Sequence, residues 1–229
     1  MLRLDDVDLR LGDFRLSVAT EIAPGERVAI LGASGSGKST LLSLLAGFHA
    51  PDRGRILWGG RDLTAMPPAA RPMSILFQDG NLFPHLTVAQ NVGLALRTDL
   101  RIGAAEVARV RETLRRVGLG GMEDRRPADL SGGQQGRAAL ARVLLQDRPV
   151  ALLDEPFSAL DPALRTGMLG LLQDLWREHG MTFLMATHDL RDAERLCDRL
   201  WLLDEGKVVL DRAVEGVRDD APDVLRDWF

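Results

Sequence analysis

An α/β fold built round a parallel sheet is what this sequence predicts, and three observations carry the prediction. The apolar run Val28-Ala29-Ile30-Leu31 leads into Gly32-Ala33-Ser34-Gly35-Ser36-Gly37-Lys38-Ser39-Thr40, after which Leu41, Leu44 and Leu45 recur at helical spacing. Val150-Ala151-Leu152-Leu153 is a continuous apolar run, the pattern of a strand covered on both faces, and it ends in Asp154-Glu155. Thr182-Phe183-Leu184-Met185-Ala186-Thr187 repeats that pattern and ends in His188. Strand, glycine-rich loop and helix in that order are the setting of a P-loop. The expected class is therefore an α/β P-loop nucleotide-binding fold.

The loop has its own chemistry. Gly32, Gly35 and Gly37 let the backbone turn tightly and aim N–H groups inward, where side chains would block a phosphate. The helix that follows offers its N-terminus to anions. Lys38 reaches the β- and γ-phosphates as a mobile point charge, and the Ser39 hydroxyl suits magnesium, which takes oxygen ligands. Lys38 and Lys207 are the only lysines in a chain whose positive charge is otherwise arginine.

Composition narrows the rest. The 229 residues are 45% apolar and 27% charged, with a net charge of −4, so no global basic field argues for nucleic acid. Cys197 is the only cysteine, which excludes an internal disulfide and a cysteine-rich zinc site. The charged N-terminus does not suit a signal peptide, and no apolar run approaches the roughly 20 residues of a bilayer span. A cytosolic protein is expected, with any membrane role reached through a partner.

Along the chain, Val7, Leu9 and Leu11, then Phe14, Leu16 and Val18, alternate with polar residues about a Gly12-Asp13 turn. Residues 54–63 repeat this around Gly59-Gly60. Ser74–Phe77 reads as the next strand, with Gln78 at its end. Residues 87–146 read as mainly helical, with Val107, Val110, Leu114 and Val117 as a core stripe and Gly118 as its cap. Ser131 is a good N-cap for the helix after it, but Gly132 and Gly133 weaken that start by about 1 kcal/mol each. Their exposed N–H groups, with the Ser131 hydroxyl, make a candidate second anion site. Asp154 and Glu155 stand where open α/β sheets bind ligands. Asp154 suits magnesium, and Glu155 suits proton abstraction from an attacking water. His188, at a similar strand end, suits a hydrogen bond to a γ-phosphate. Residues 200–210 read as a hairpin, and the acidic tail from Asp211 to Phe229 as short helical turns.

Taken together these residues resemble the nucleotide-binding subunit of ATP-binding cassette (ABC) transporters, along the whole chain and in the family's order. Gly32–Ser39 is similar to Walker A, Gln78 to the Q-loop glutamine, Leu130–Gln134 to the LSGGQ signature, and Val150–Asp154 to Walker B. Glu155 is similar to the catalytic base, Ser158–Asp161 to the D-loop and His188 to the switch histidine. The resemblance implies ATP and Mg2+ as cofactors, with Ser39, Gln78 and Asp154 at the metal and Glu155, His188 and Gln78 in catalysis. It implies nucleotide contacts from Gly32 through Thr40 and from Ser131, Gly132, Gly133, Gln134 and Asp161. It also implies a head-to-tail dimer in which each ATP lies between Walker A of one copy and the signature of the other. The partners it implies are a transmembrane permease, met by the loop after Gln78, and indirectly a periplasmic solute-binding protein. The place it implies is the cytoplasmic face of the bacterial inner membrane. It implies a RecA-like parallel-sheet core with an N-terminal antiparallel β-subdomain and an inserted helical subdomain. It implies one domain over residues 1–229, divided into the nucleotide-binding core with its β-subdomain (1–78 and 147–229) and a helical signature subdomain (79–146).

A narrower likeness runs through Gly47-Phe48, Thr64–Pro68, Arg71–Gln78, Asn81–Phe83, His85–Asn91 and Glu155–Arg165, which are similar to the ATPases of bacterial thiamine importers. It implies thiamine or its phosphate esters as cargo. Importers of iron, polyamines or sugars share part of the pattern, and an exporter is the alternative within the superfamily. A soluble ABC ATPase acting on DNA or ribosomes would carry paired cassettes or basic insertions, and a P-loop kinase would not need the signature. The chain departs from the family twice. It has no tyrosine to stack on adenine, and its corresponding region offers Arg10, Leu11 and Phe14, with Phe14 facing inward by its alternation. Gly136 replaces a polar or basic side chain in the signature helix.

Overall fold

The computed structural model describes residues 1–158, 160–218 and 225. The chain forms two compact units: Met1–Ile75 with Pro149–Glu155 and Trp176–Phe229, and Leu76–Arg148 with Pro156–Leu175.

The first unit is organised by the sheet. Its strands are β1 (Leu2–Leu11), β2 (Phe14–Ile22), β3 (Arg27–Leu31), β4 (Arg53–Trp58), β5 (Arg61–Asp62), β6 (Met73–Leu76), β7 (Val150–Asp154), β8 (Thr182–Ala186), β9 (Arg199–Asp204) and β10 (Lys207–Ala213). They share one ladder in the order β5-β4-β1-β2-β10-β9-β3-β8-β7-β6. β1 pairs antiparallel with β2 and β4, and β3 pairs parallel with β8 and β9. Strand β10 runs parallel to β2 at Lys207 and Ser17 and antiparallel to β9, and so joins the N-terminal antiparallel strands to the parallel strands β9, β3, β8 and β7. A bulge between Leu4 and Val7 resets the alternation, so Leu2 and Leu4 and then Val7 and Leu9 are buried, while Leu11 ends the strand beside the Gly12–Asp13 turn and is exposed.

Helix α1 (Lys38–Ala46) packs on β7 and β8 through Leu41, Leu42, Leu44 and Leu45, all fully buried. Two contacts hold its ends. At the N-terminus, the tip of the Phe14 ring lies where a Cβ on Gly37 would sit. At the C-terminus, the buried Arg71 guanidinium donates to the Leu44, Leu45, Thr64 and Met66 carbonyls. Helix α1 has no basic residue in its own last turn, so Arg71 supplies the positive charge its carbonyl end favours. The sequence reading placed Phe14 inward. It is half-buried, with its ring tip against Gly37.

The second unit is mostly helical. Helix α2 (Val88–Gly93) begins at a capping box of Thr87 and Gln90. Helix α3 (Ala104–Arg116) buries Val110 and Leu114, and Gly118 follows its last turn at φ +70°. Helix α4 (Gly132–Leu145) packs on both. Buried Asn91 bonds the Phe83 N–H and the Phe83, Leu86 and Thr87 carbonyls, which fixes that loop. Arg142 of α4 donates to the carbonyls of Gly80 and Asn81.

Two helices remain. Helix α5 (Pro162–His179) includes residues of both units, and α6 (Leu190–Leu196) starts at the Asp189 cap and belongs to the first. The tail differs from its sequence reading: Asp211–Ala213 continue β10 because they pair with Arg199–Trp201. Val214–Arg218 form a bend and turn in which the Val217 N–H donates to the Val214 carbonyl, and residues 219–224 and 226–229 lie outside the described residues.

Candidate functional site

Strand register assembles the site of the first unit. Ile30, Ala186 and Asp154 are cross-strand partners in one row over β3, β8 and β7. The three strands therefore end level, and Gly32, His188 and Glu155 follow at the same carboxyl edge, where α/β sheets place ligands. The Glu155 N–H donates to the Ala186 carbonyl at 3.0 Å, and the Thr187 N–H to the Ile30 carbonyl at 3.1 Å, which extends the row past the strand ends.

The loop between β3 and α1 fits an anion. Gly37 is the N-cap residue, at φ +106°, and no side chain caps the first turn or places an acid there. The N–H groups of that turn and the helix dipole are thus left for a ligand. Lys38 is 8% exposed, and its Nζ donates to the carbonyls of Gly32 (2.7 Å) and Ala33 (2.9 Å). Burial pushes its pKa down, and the nearby Glu155 and Asp154 carboxylates push it back up. Ala33, Ser34, Gly35 and Ser39 are exposed, and Thr40 is half-buried.

Asp154 is buried at the end of β7, and the Ser39 hydroxyl donates to it. Burial raises its carboxyl above the ordinary range against the lowering effect of Ser39. Glu155 holds a left-handed backbone, φ +46°, a conformation a non-glycine residue keeps only where its surroundings impose it. Its Oε2 stands 3.4 Å from Nδ1 of His188, whose side chain is mostly exposed. Among the described residues no cluster of three or more histidine, cysteine or acidic side chains could hold a metal alone. The Ser39–Asp154 pair still fits magnesium, which takes one or two protein oxygens and completes its shell with phosphate and water.

Other sequence-predicted residues belong to the second unit. Gln78 is exposed after β6. Ser131 caps α4, and its backbone N–H donates to the Gln134 side chain while its hydroxyl accepts from the Gln134 N–H. This capping box offsets the weakness of Gly132 and Gly133, and sequence reasoning missed it although the Ser-x-x-Gln spacing was there to read. Asp161 caps α5 by accepting from the N–H groups of Ala163 and Leu164. Ala159, inside the expected D-loop, lies outside the described residues. This unit also carries a cleft of about 550 Å³ lined by Ala89, Leu100, Ile102, Val107 and Val110, with Arg111 and Glu123 among its polar residues.

Residues 16–158 match the family model described as ABC transporter. The chain belongs to the ABC transporter family. Relatives named thiamine import ATP-binding protein ThiQ match it over nearly its whole length. The protein of Jannaschia sp. (strain CCS1) is 60% identical across the whole of both chains. That of Ruegeria sp. (strain TM1040) is 50% identical over 100% of this chain and 99% of its own. That of Yersinia pseudotuberculosis is 48% identical over 96% and 93%. Among solved structures, a dimeric post-hydrolysis state of the ATP-binding cassette MJ0796, bound to ADP and Pi, superposes with a TM-score of 0.85 at 32% identity. It covers 94% of this chain and all of its own. An ABC ATPase cassette of the P-loop class is therefore the fold, and ATP hydrolysis coupled to transport is the activity. No helix among the described residues is long and apolar enough to cross a membrane.

Proposed function

We propose that this chain is the ATP-hydrolysing subunit of an importer for thiamine or its phosphate esters, working as a dimer on the cytoplasmic side of a transmembrane permease. The cargo rests on the relatives' names, and the 60% identity over full length carries it. The chemistry rests on the level row that sets Glu155 and His188 beside the phosphate loop.

In this reading the uncapped turn at Gly37–Lys38 and the Lys38 amine hold the triphosphate. Ser39 and Asp154 would hold Mg2+, which would supply neutralisation of phosphate charge. The Glu155 carboxylate accepts a proton from the attacking water, and His188 orients that carboxylate and donates to the γ-phosphate. Ser131, Gly132, Gly133 and Gln134, with Asp161, cover the nucleotide held by a second copy. The loop after Gln78 meets a cytoplasmic segment of the permease, and a periplasmic solute-binding protein delivers cargo on the far side.

Glu155→Gln tests the chemistry. It should reduce ATPase activity at least about a hundredfold while ATP still binds, and light scattering should show an ATP-dependent dimer. Undiminished hydrolysis by the purified variant refutes the role of Glu155. For the cargo, the ATPase reconstituted with the permease that co-purifies with it should be stimulated by thiamine presented with the solute-binding protein. Stimulation by an iron, polyamine or sugar system instead overturns the cargo.

A further inference from the structure

We propose that Gly206, at the tip of the β9–β10 hairpin, is a positioning residue for phosphate binding, whose N–H sets the orientation of the Ser36–Gly37 peptide in the phosphate loop. The inference rests on reading Gly32–Thr40 as a triphosphate cradle.

The Gly206 N–H donates to the Ser36 carbonyl at 3.0 Å. A peptide unit is planar and trans, so its C=O and N–H point in opposite directions. Pinning the Ser36 carbonyl toward the hairpin therefore turns the Gly37 N–H away from it, on the side where α1 opens to a ligand. Gly37 is the N-cap residue of α1, so this donor is among those a phosphate would meet first. In a loop with no side-chain cap of its own, the hairpin supplies the restraint.

The hairpin is held firmly enough to act as a template. The Gly206 carbonyl accepts from the Ser17 N–H at 2.8 Å, and Lys207 pairs with Ser17. Gly206 sits at φ +75°, and a Cβ there would lie 2.0 Å from the Arg15 carbonyl oxygen, so only glycine lets the turn come this close to β2. The same hairpin meets the other end of the loop: the Leu203 carbonyl oxygen lies 2.3 Å from where a Cβ on Gly32 would be. A close backbone approach at Gly32 and a hydrogen bond at Ser36, both from this hairpin, thus bracket the loop.

The lone cysteine allows a direct test. A synthetic peptide spanning 197–229 can be ligated at Cys197 to a 1–196 thioester, with glycolic acid replacing Gly206 so that an ester oxygen stands where the N–H was. The all-amide ligated chain is the reference, and an ester at Glu205, whose N–H makes no described backbone hydrogen bond, controls for the chemistry. Binding of ATP and of inorganic tripolyphosphate is measured by calorimetry, and steady-state ATPase activity alongside. The ester at 206 should weaken both ligands together by about fivefold, the worth of one neutral hydrogen bond. It should raise KM by a similar factor and leave kcat at saturating ATP within about twofold, while the ester at 205 binds as the reference does. If the ester at 206 does not refold, recombinant Gly206→Ala, which drives the turn off Ser36, should weaken both ligands further. Tripolyphosphate binding equal to the reference in the ester or in Gly206→Ala, whatever the melting temperature, overturns the proposal and leaves Gly206 a hairpin residue only. If the all-amide chain binds neither ligand, the cradle reading fails and the role of Gly206 fails with it.

Discussion

Replacing Arg71 by methionine should destabilise the nucleotide-free protein by about 3 kcal/mol. The figure follows from what the guanidinium holds. Arg71 is 1% exposed, and its donors reach Met66 O (2.9 Å), Leu44 O (2.9 Å), Leu45 O (2.7 Å) and Thr64 O (3.1 Å). The Leu44 carbonyl keeps the Gly47 N–H, so three carbonyls lose a donor. Stripping a partner from a buried carbonyl costs about 1–3 kcal/mol, and relief from burying a cation without a carboxylate offsets part of the sum. Methionine keeps most of the aliphatic volume, so a cavity adds little. For a chain of this length the loss corresponds to a melting temperature lower by about 6–12 °C. Arg71→Lys keeps the charge but not the planar fork and should fall between the two. Urea unfolding followed by circular dichroism reads both variants. An Arg71→Met protein within about 1 kcal/mol of wild type, or Arg71→Lys equal to it, refutes the argument that carbonyl satisfaction rather than charge is at stake.

Three further outcomes are expected. Burial raises the Asp154 carboxyl, so just above the ordinary carboxylate range the folded protein keeps a proton the unfolded chain has released, and this group lowers stability as pH rises through that window. Asp154→Asn at pH 7.5 should accordingly melt at or above wild type without nucleotide while its Mg2+-dependent ATPase is lost, and a lower melting temperature refutes the burial argument. Ser131→Arg should leave ATP binding by the monomer intact and abolish the ATP-dependent dimer in a Glu155→Gln background, at a capping cost of about 1 kcal/mol, and light scattering that still shows the dimer removes Ser131 from the interface. Gly136→Ala should stabilise the protein by about 0.5–1 kcal/mol, since a Cβ there meets nothing within 4 Å in the interior of α4, and urea titration without a gain contradicts the propensity account.

What could be read from the sequence alone was whatever short-range patterning dictates. Strand, loop and helix around Gly32–Thr40, the carboxylate pair after Val150–Leu153, His188 after Thr182–Thr187 and the Ser131 cap are all local, because backbone conformation and solvent exposure follow from residues a few positions apart. Tertiary structure decided what depends on register and on long-range contact. Only the pairing of Ile30 with Ala186 and of Ala186 with Asp154 makes three strand ends level, and no periodicity carries that. Leu11 is exposed because its strand ends there at the hairpin turn, and Phe14 meets Gly37 with its ring tip, a contact between segments that alternation does not foretell. Arg71 is buried because the carbonyl end of a helix more than twenty residues away closes on it, and Gly206 is more than a turn glycine because Ser36 comes within reach. A hydrogen bond between distant segments leaves no spacing in the chain, so its partners become known only when the fold brings them together.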